Sequence, residues 1–408
     1  MLPVEPSVFK NMIGITKEDL IEADLAGFVF ATPTGTISSK KLIKNIHFEL
    51  DENLSFEAQQ HAWLNKAQRE LQQKIQATGN AELILVGSLP FDHRDLPEMS
   101  IAEAKNTFVT DGLNLPEPIE RLSQVQATLV PPQADYVEGV AKLVQLMKTT
   151  HLEKAVLARA IDLSSAQKIP VVKLFHQLFR TNPDGYTFAL AQDPKKTGWF
   201  LGASPELLVA KQNQYVFSNP VAGTLARSLD PVEDQAQADR LFASAKDQHE
   251  HKVVIEAIAD QLSPLCQTLS IPKLPSLIKT QTVWHLATQI KGTLKDPEMH
   301  VFDLASLLHP TPAVCGQPPA LARELISELE PFQRNLFAGT MGWSDAHGNG
   351  AWAVNVRCGR IFENTARLYA GAGIVEASQP TSELNETIAK FKTMLNAMGL
   401  DADQLTYQ

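Results

Sequence analysis

Cysteine is scarce: Cys266, Cys315 and Cys358 are the only three in 408 residues, far apart and without CxxC spacing. That pattern gives no disulfide framework and no structural zinc centre, and it fits reduced thiols in a cytoplasm. Long apolar runs are also missing. No window approaches the ~18 uninterrupted apolar residues of a membrane span, and the opening MLPVEPSVFKNMIG lacks the basic-then-apolar run of a secretory signal. Positive charge is in deficit, with 36 Lys+Arg against 46 Asp+Glu and a net charge of -10. A nucleic acid or an anionic membrane is therefore not expected as a partner. There is no internal repeat and no low-complexity tract. What remains is ordinary globular composition, 44% hydrophobic and 20% charged, with ample sequence for a large core. Length alone suggests two or three domains, and the expected location is cytoplasmic.

The most informative stretch is Leu368 to Leu395, LYAGAGIVEASQPTSELNETIAKFKTML. Its first part is a strand interrupted by Gly371 and Gly373, and glycine there marks a bulge or a close approach to the backbone. After Pro380 the spacing of Leu384, Ile388, Phe391, Met394 and Leu395 predicts a helix. Glu383, Glu386 and Lys390 fall on one face of that helix. Two carboxylates and an ammonium beside glycine-freed amides could hold a hard metal ion and an anionic ligand. A solvated helix face with one Glu386–Lys390 pair is the competing reading.

Residues 1 to about 125 say least. Phe28–Phe30 reads as a strand entering a turn at Thr32–Gly35, Phe56–Ala77 as a helix, and Ala81–Leu89 as a buried strand. Pro116, Pro118 and Pro131-Pro132 mark 117–134 as a connector. Tyr136–Met147 is an amphipathic helix, followed by a strand over 153–160 in which Lys154 and Arg159 interrupt apolar residues; a lysine there can simply protect an edge. Short strands at Tyr186–Ala191, Gly198–Leu201, Leu207–Ala210 and Tyr215–Phe217 suggest an antiparallel sheet. Glu206 follows Ser204-Pro205 at the mouth of one of them, either a buried carboxylate or an exposed turn residue. Ser218–Thr224 reads as a loop whose Gly223 and Thr224 could donate to an anion. In the helix around 246–255, His249 and His251 are two apart and face different ways, so zinc is discounted; Glu250 is a hard ligand suited to magnesium. His285 lies on a predicted strand, Thr282–Ile290, where a hydrogen-bonded core histidine is usual. Leu308–Gly316 is a Pro-rich loop. Phe337–Trp343 and Ala351–Arg357 are strands about a hairpin turn, and Arg357 could grip a carboxylate bidentately.

Taken in order, KAVLARA, LGASPELLV, NPVAGT, KDQHEHKVV, WHLATQIKG, LHPTPAVCG, FAGTMGWSDAHGNG, AVNVRC and the YAGAGIVEAS…ELNETIAKFKTML stretch resemble the chorismate-utilising enzymes, most closely the siderophore-type isochorismate synthases. The resemblance is strong over 130–400; Gly87–Asp92 also matches within the weaker 1–125. It implies an α+β fold, a single domain over 1–408 in which antiparallel sheets pack face to face with helices outside (α/β/β/α). It implies a Mg²⁺ site with Glu250 and Glu386 as ligands and Glu383 in support. Arg357, Lys390, Gly371 and Gly373 match positions that bind the substrate carboxylates, and His285, Gly223 and Thr224 match substrate-contacting positions. Lys154 matches the family's general base and Glu206 its general acid, so that water adds at C2 of chorismate while the C4 hydroxyl leaves. Burial would move both groups toward the needed protonation states.

Two positions narrow the branch. The amine-transferring relatives generally have glutamine where Lys154 stands, and one branch has a nucleophilic lysine where Ala222 sits. Salicylate synthases share the base, acid and metal ligands but typically place tyrosine at Phe337; phenylalanine there, with Val314 shaping the same pocket, favours release of isochorismate. A chorismate-binding protein without activity is the alternative from another class. A monomer is expected, and menaquinone or siderophore supply both remain open.

Overall fold

The computed structural model describes residues 25–107 and 119–401, apart from positions 26, 34, 52, 93, 120 and 121, together with residue 405. The opening MLPVEPSVFKNMIG and the prolines at 116 and 118 lie outside the described residues.

Strand β1 (Phe28–Thr32) turns into the long β2 (Gly35–Ile46), and α1 (Phe56–Thr78) follows, capped by Ser55 Oγ at its start and ended by left-handed Gly79. Next come β3 (Leu83–Leu89), β4 (Glu98–Thr107) and β5 (Gln126–Val130). The last is a strand inside what the prolines suggest is only a connector. Then α2 (Gln133–Met147) leads to β6 (Lys154–Ser164) and α3 (Val171–Thr181). A meander follows: β7 (Tyr186–Ala191), β8 (Gly198–Ser204), β9 (Leu207–Gln212), β10 (Tyr215–Asn219) and β11 (Val221–Ala226).

The expected Ser218–Thr224 loop is thus mostly strand. It is bent by a register shift between Ala222 and Thr224, where Gly223 takes φ +79. Helices α4 (Pro231–Ala243) and α5 (Ala245–Leu262) meet at Ser244, whose hydroxyl caps the second. After β12 (Cys266–Ser270) and β13 (Ser276–Lys279), the single strand expected over Thr282–Ile290 is instead two. They are β14 (Val283–Ala287) and β15 (Ile290–Leu294), which belong to different sheets. The chain then forms α6 (Val301–Leu308), β16 (Gly316–Gln317), α7 (Pro319–Leu329), β17 (Thr340–Ser344) and β18 (Gly350–Val354). It closes with β19 (Cys358–Phe362), β20 (Thr365–Ile374) and α8 (Pro380–Ala397). Phe337 and Arg357 therefore sit just outside the strands proposed to hold them.

Every pairing among the described strands is antiparallel. Seventeen strands form one continuous sheet that runs through β1 and β2 and folds over on itself, and β11, β14 and β13 form a small separate sheet. β2 carries two register shifts against β4, between Ser39 and Lys41 and between Leu42 and Lys44, irregularities of the kind that bend a strand.

The two halves share an apolar core. Phe188, Leu190 and Phe200 point into it, while their neighbours Ala189, Trp199 and Leu201 point the other way into a second cluster with α3 and α8. This period-2 division buries both faces of the β7–β8 pair. Helices α1 and α6 cover the opposite outer face. The expected α/β/β/α layering is present, with one folded sheet supplying both inner layers. Among the described residues no helix is long and apolar enough to cross a membrane.

Candidate active site

Lys154 opens β6, paired on one side with β20 and on the other with β16. The interior of a sheet is no place for an edge-protecting charge, and the side chain is fully buried with Nζ 3.1 Å from Glu250 Oε1 on α5. Gly373 faces Val156 across the ladder, and a Cβ on it would lie 2.0 Å from Glu250 Oε1. The glycine is what lets an α5 carboxylate reach the strand backbone. Burial by itself would raise the Glu250 carboxyl, but Lys154, Lys246 and Lys390 together hold it below the usual range.

Glu206 sits between β8 and β9, its amide held by Ser204 Oγ at 3.1 Å. It is buried, not an exposed turn residue. Burial pushes its carboxyl up to about 7, against the Val221 amide and the charges of Lys154, Arg357 and Lys390.

Arg357 follows β18 in the left-handed region, φ 53, and its side chain is buried against the cavity. Burial lowers it to about 10, so it stays charged at neutral pH. Its Nη2 lies 2.8 Å from His285 Nε2. Since guanidinium only donates, Nε2 accepts and the imidazole proton sits on Nδ1, 2.9 Å from Thr224 Oγ1. Burial first, then Arg357 and Lys390, keep His285 neutral well below its ordinary pKa.

On α8, Lys390 Nζ donates to Glu386 Oε1 at 2.6 Å and to the Gly371 carbonyl at 2.8 Å. Burial lowers its pKa, which Glu386 opposes. Glu383 lies one turn earlier and farther back, 2.9 Å from Lys246 Nζ. Burial and then Glu386 raise it to about 7. Lys246 escaped the sequence reading. It also approaches Glu250 at 3.9 Å and Asp247 at 3.6 Å, and these carboxylates raise it despite its burial.

Ten of the thirteen residues named from the sequence line one cavity: Glu206, Gly223, Thr224, Glu250, His285, Phe337, Arg357, Gly371, Gly373 and Lys390. The other three stand directly behind it, Lys154 against Glu250, Glu386 against Lys390, and Glu383 against Lys246. Val314 also lines the cavity, and so does Ala222, where no amine projects. Phe337 lies flat against Tyr369, centroids 4.9 Å apart and planes within 7°. Two cations, Arg357 and Lys390, and the protonatable Glu206 thus line the cavity, with the Lys154 amine behind Glu250, a pattern suited to an anionic molecule. Among the described residues no three His, Cys, Asp or Glu side chains come together as a ready-made metal centre. Glu250 and Glu386 are nevertheless hard donors of the kind that hold Mg²⁺ when a ligand's oxygens and water complete the shell.

The family model described as chorismate binding enzyme matches residues 80–399. The chain is 41% identical over 409 aligned residues to the isochorismate synthase DhbC of Bacillus subtilis (strain 168), covering 96% of this chain and 99% of that protein. It is 40% identical over 342 residues to the vibriobactin-specific isochorismate synthase of Vibrio cholerae, covering 84% and 85%. The crystal structure of DhbC from Bacillus anthracis superposes with a TM-score of 0.85 at 40% identity, covering 95% of this chain and all of that one.

Proposed function

The chain belongs to the chorismate-binding enzyme family, and from that premise we propose that it isomerises chorismate to isochorismate. The observation that carries the reading is a cavity lined by Glu206, Arg357 and Lys390, with Lys154 directly behind its wall against Glu250. In this reading Lys154 Nζ removes a proton from the water that adds at C2. Glu206, whose carboxyl burial raises to about 7, gives its proton to the C4 oxygen, which leaves as water. The Lys154–Glu250 contact sets a condition: Nζ can take the proton only in its neutral form, with its lone pair free and Glu250 3.1 Å away. His285, its proton on Nδ1, fixes the direction of the Arg357 guanidinium, and Arg357 then orients a substrate carboxylate.

The proposal includes Mg²⁺ held by Glu250 and Glu386, with Glu383 behind them. When bound, the ion supplies positive charge to a substrate carboxylate. The remaining residues bind and orient: Gly223 and Thr224 line one wall, Gly371 and Gly373 another. The setting is proposed to be cytoplasmic, with the enzyme a monomer that feeds siderophore synthesis. The name of the vibriobactin-specific relative supports that pathway.

Phe337 supports release of isochorismate without pyruvate elimination. It contributes a ring stacked on Tyr369 and no hydroxyl to steer the enolpyruvyl group. Incubation with chorismate and Mg²⁺, with products identified by mass and salicylate followed by its fluorescence, tests the reading. Isochorismate alone is the expected product. Equal amounts of salicylate and pyruvate would make the protein a salicylate synthase, and bound but unchanged chorismate would make it a binding protein.

A further inference from the structure

The ladder along β6 has a gap. On the edge away from β20, Gln317 and Gly316 pair with Lys154 and Ala155, and the Val156 amide donates to Cys315 O at 2.8 Å. Farther along, β5 takes over, starting with Val130 opposite Ala160. Between these two stretches no described strand serves the Val156 carbonyl or the Ala158 amide. Two side chains do so instead. Arg334 Nη2 donates to Val156 O at 2.7 Å, and Glu330 Oε1 accepts from the Ala158 amide at 2.8 Å. The pair is tied to itself by two further contacts, Nε to Oε2 at 2.8 Å and Nη2 to Oε1 at 2.5 Å. Both side chains are almost completely buried.

Arg334 has two more attachments. Its Nη1 donates to Val314 O at 2.8 Å, and its guanidinium lies over the rings of Phe91 and Phe337, 4.3 and 5.6 Å from their centroids. The pieces it joins are walls of the cavity. Val156 is two residues from Lys154, on the same strand and on its face; Val314 and Phe337 line the cavity directly. None of these attachments reaches the cations that would grip a substrate, since Arg357 follows β18 and Lys390 belongs to α8.

We propose that the Glu330–Arg334 pair is a positioning device for the reaction. It stands in for two missing rungs of β6 and thereby fixes Lys154 relative to the wall formed by Val314 and Phe337. The inference rests on the reading of the cavity as the site of chorismate isomerisation. It goes beyond that reading in assigning the placement of the base to a buried ion pair that touches no substrate. The guanidinium makes four hydrogen bonds in one fixed plane, to two carbonyls and bidentately to a carboxylate; an ammonium has three donors on a flexible stem and cannot reproduce that set. A buried ion pair is also an expensive way to hold a fold, because apolar residues of similar volume often serve stability as well.

The test uses two variants, R334K and the double change E330M/R334M, which leaves no lone buried charge. Each is checked for a cooperative melt, and then kcat and KM for chorismate are measured per folded molecule. Displacing a catalytic group by about 1 Å can cost ~10²-fold in rate. A loss of that order in kcat is expected in both variants, with KM nearly unchanged because Arg357 and Lys390 are undisturbed. Either variant folding with the kcat of the unmodified enzyme would overturn the inference and leave the functional reading standing. A rise in KM that matches the fall in kcat would overturn it too, by showing general damage to the pocket. If the double variant does not fold, R334K decides alone. An unmodified protein that leaves chorismate unchanged would remove the functional reading and this inference together.

Discussion

Replacing Gly373 by alanine separates activity from folding. In β20, opposite Val156, Gly373 does not need a left-handed backbone, so alanine meets no backbone strain. In a strand interior, glycine costs about 0.5–1 kcal/mol relative to alanine, so on backbone grounds the variant should be as stable as the parent or more so. The added Cβ, however, would stand 2.0 Å from Glu250 Oε1, 2.7 Å from its Cδ and 3.0 Å from Lys154 Cε. Real Cβ atoms essentially never come closer than 3.0 Å, so the carboxylate must withdraw by about 1 Å. Being the end of a flexible side chain, it can do so without unfolding the protein. The movement breaks the 3.1 Å contact with Lys154 and takes a proposed metal ligand out of register. A displacement of that size is expected to lower kcat ~10²-fold.

Gly371→Ala is the comparison. Its Cβ would meet nothing closer than Val156 Cγ1 at 3.2 Å, and the Lys154–Glu250 contact would be left alone. The assay is chorismate turnover by product mass, alongside thermal melting of both variants. A Gly373→Ala protein that melts normally and turns over like the parent would refute the argument that the glycine exists to admit the carboxylate.

Other outcomes follow from the same geometry. Lys154→Ala and Glu206→Gln should each lower kcat by about 10²–10⁴-fold while chorismate binding, measured by calorimetry, survives on Arg357 and Lys390. Glu206 must be protonated to act. Because burial raises its carboxyl to about 7, the proton is present below that pH and lost above it. kcat should therefore fall about tenfold per unit above pH 7 to 8, and the residual activity of Glu206→Gln should lack that limb. EDTA should abolish turnover and Mg²⁺ restore it. Glu386→Gln should abolish it without lowering the melting temperature, and full activity in EDTA would remove magnesium from the proposal.

Several elements were legible because their cause is local. Helix α8 follows from the spacing of Leu384, Ile388, Phe391, Met394 and Leu395, and β7 has the bounds its branched and aromatic residues suggest. The glycines of β20 signal a close approach, and Gly373 meets one. Errors arose where a neighbouring element overrides local pattern. Pro131-Pro132 suggests a connector, yet Gln126–Val130 finds β6 to pair with. Alternation across Thr282–Ile290 suggests one strand, yet the chain changes sheets at Thr288 and Gln289.

The ordered motifs by themselves determined the family and the residue types available for catalysis. Each motif is short, and their order along one chain is information a sequence carries directly. Tertiary structure decided which charges meet. Arg357 and His285 are 72 residues apart, Thr224 and His285 are 61, and Arg334 reaches the Val156 carbonyl across 178. Lys154 has the same neighbours in sequence whether it protects an edge or faces Glu250. Only the pairing of β6 on both sides buries it and sets it 3.1 Å from a carboxylate on α5. Burial and charge pairing depend on distance in space, to which local periodicity is blind.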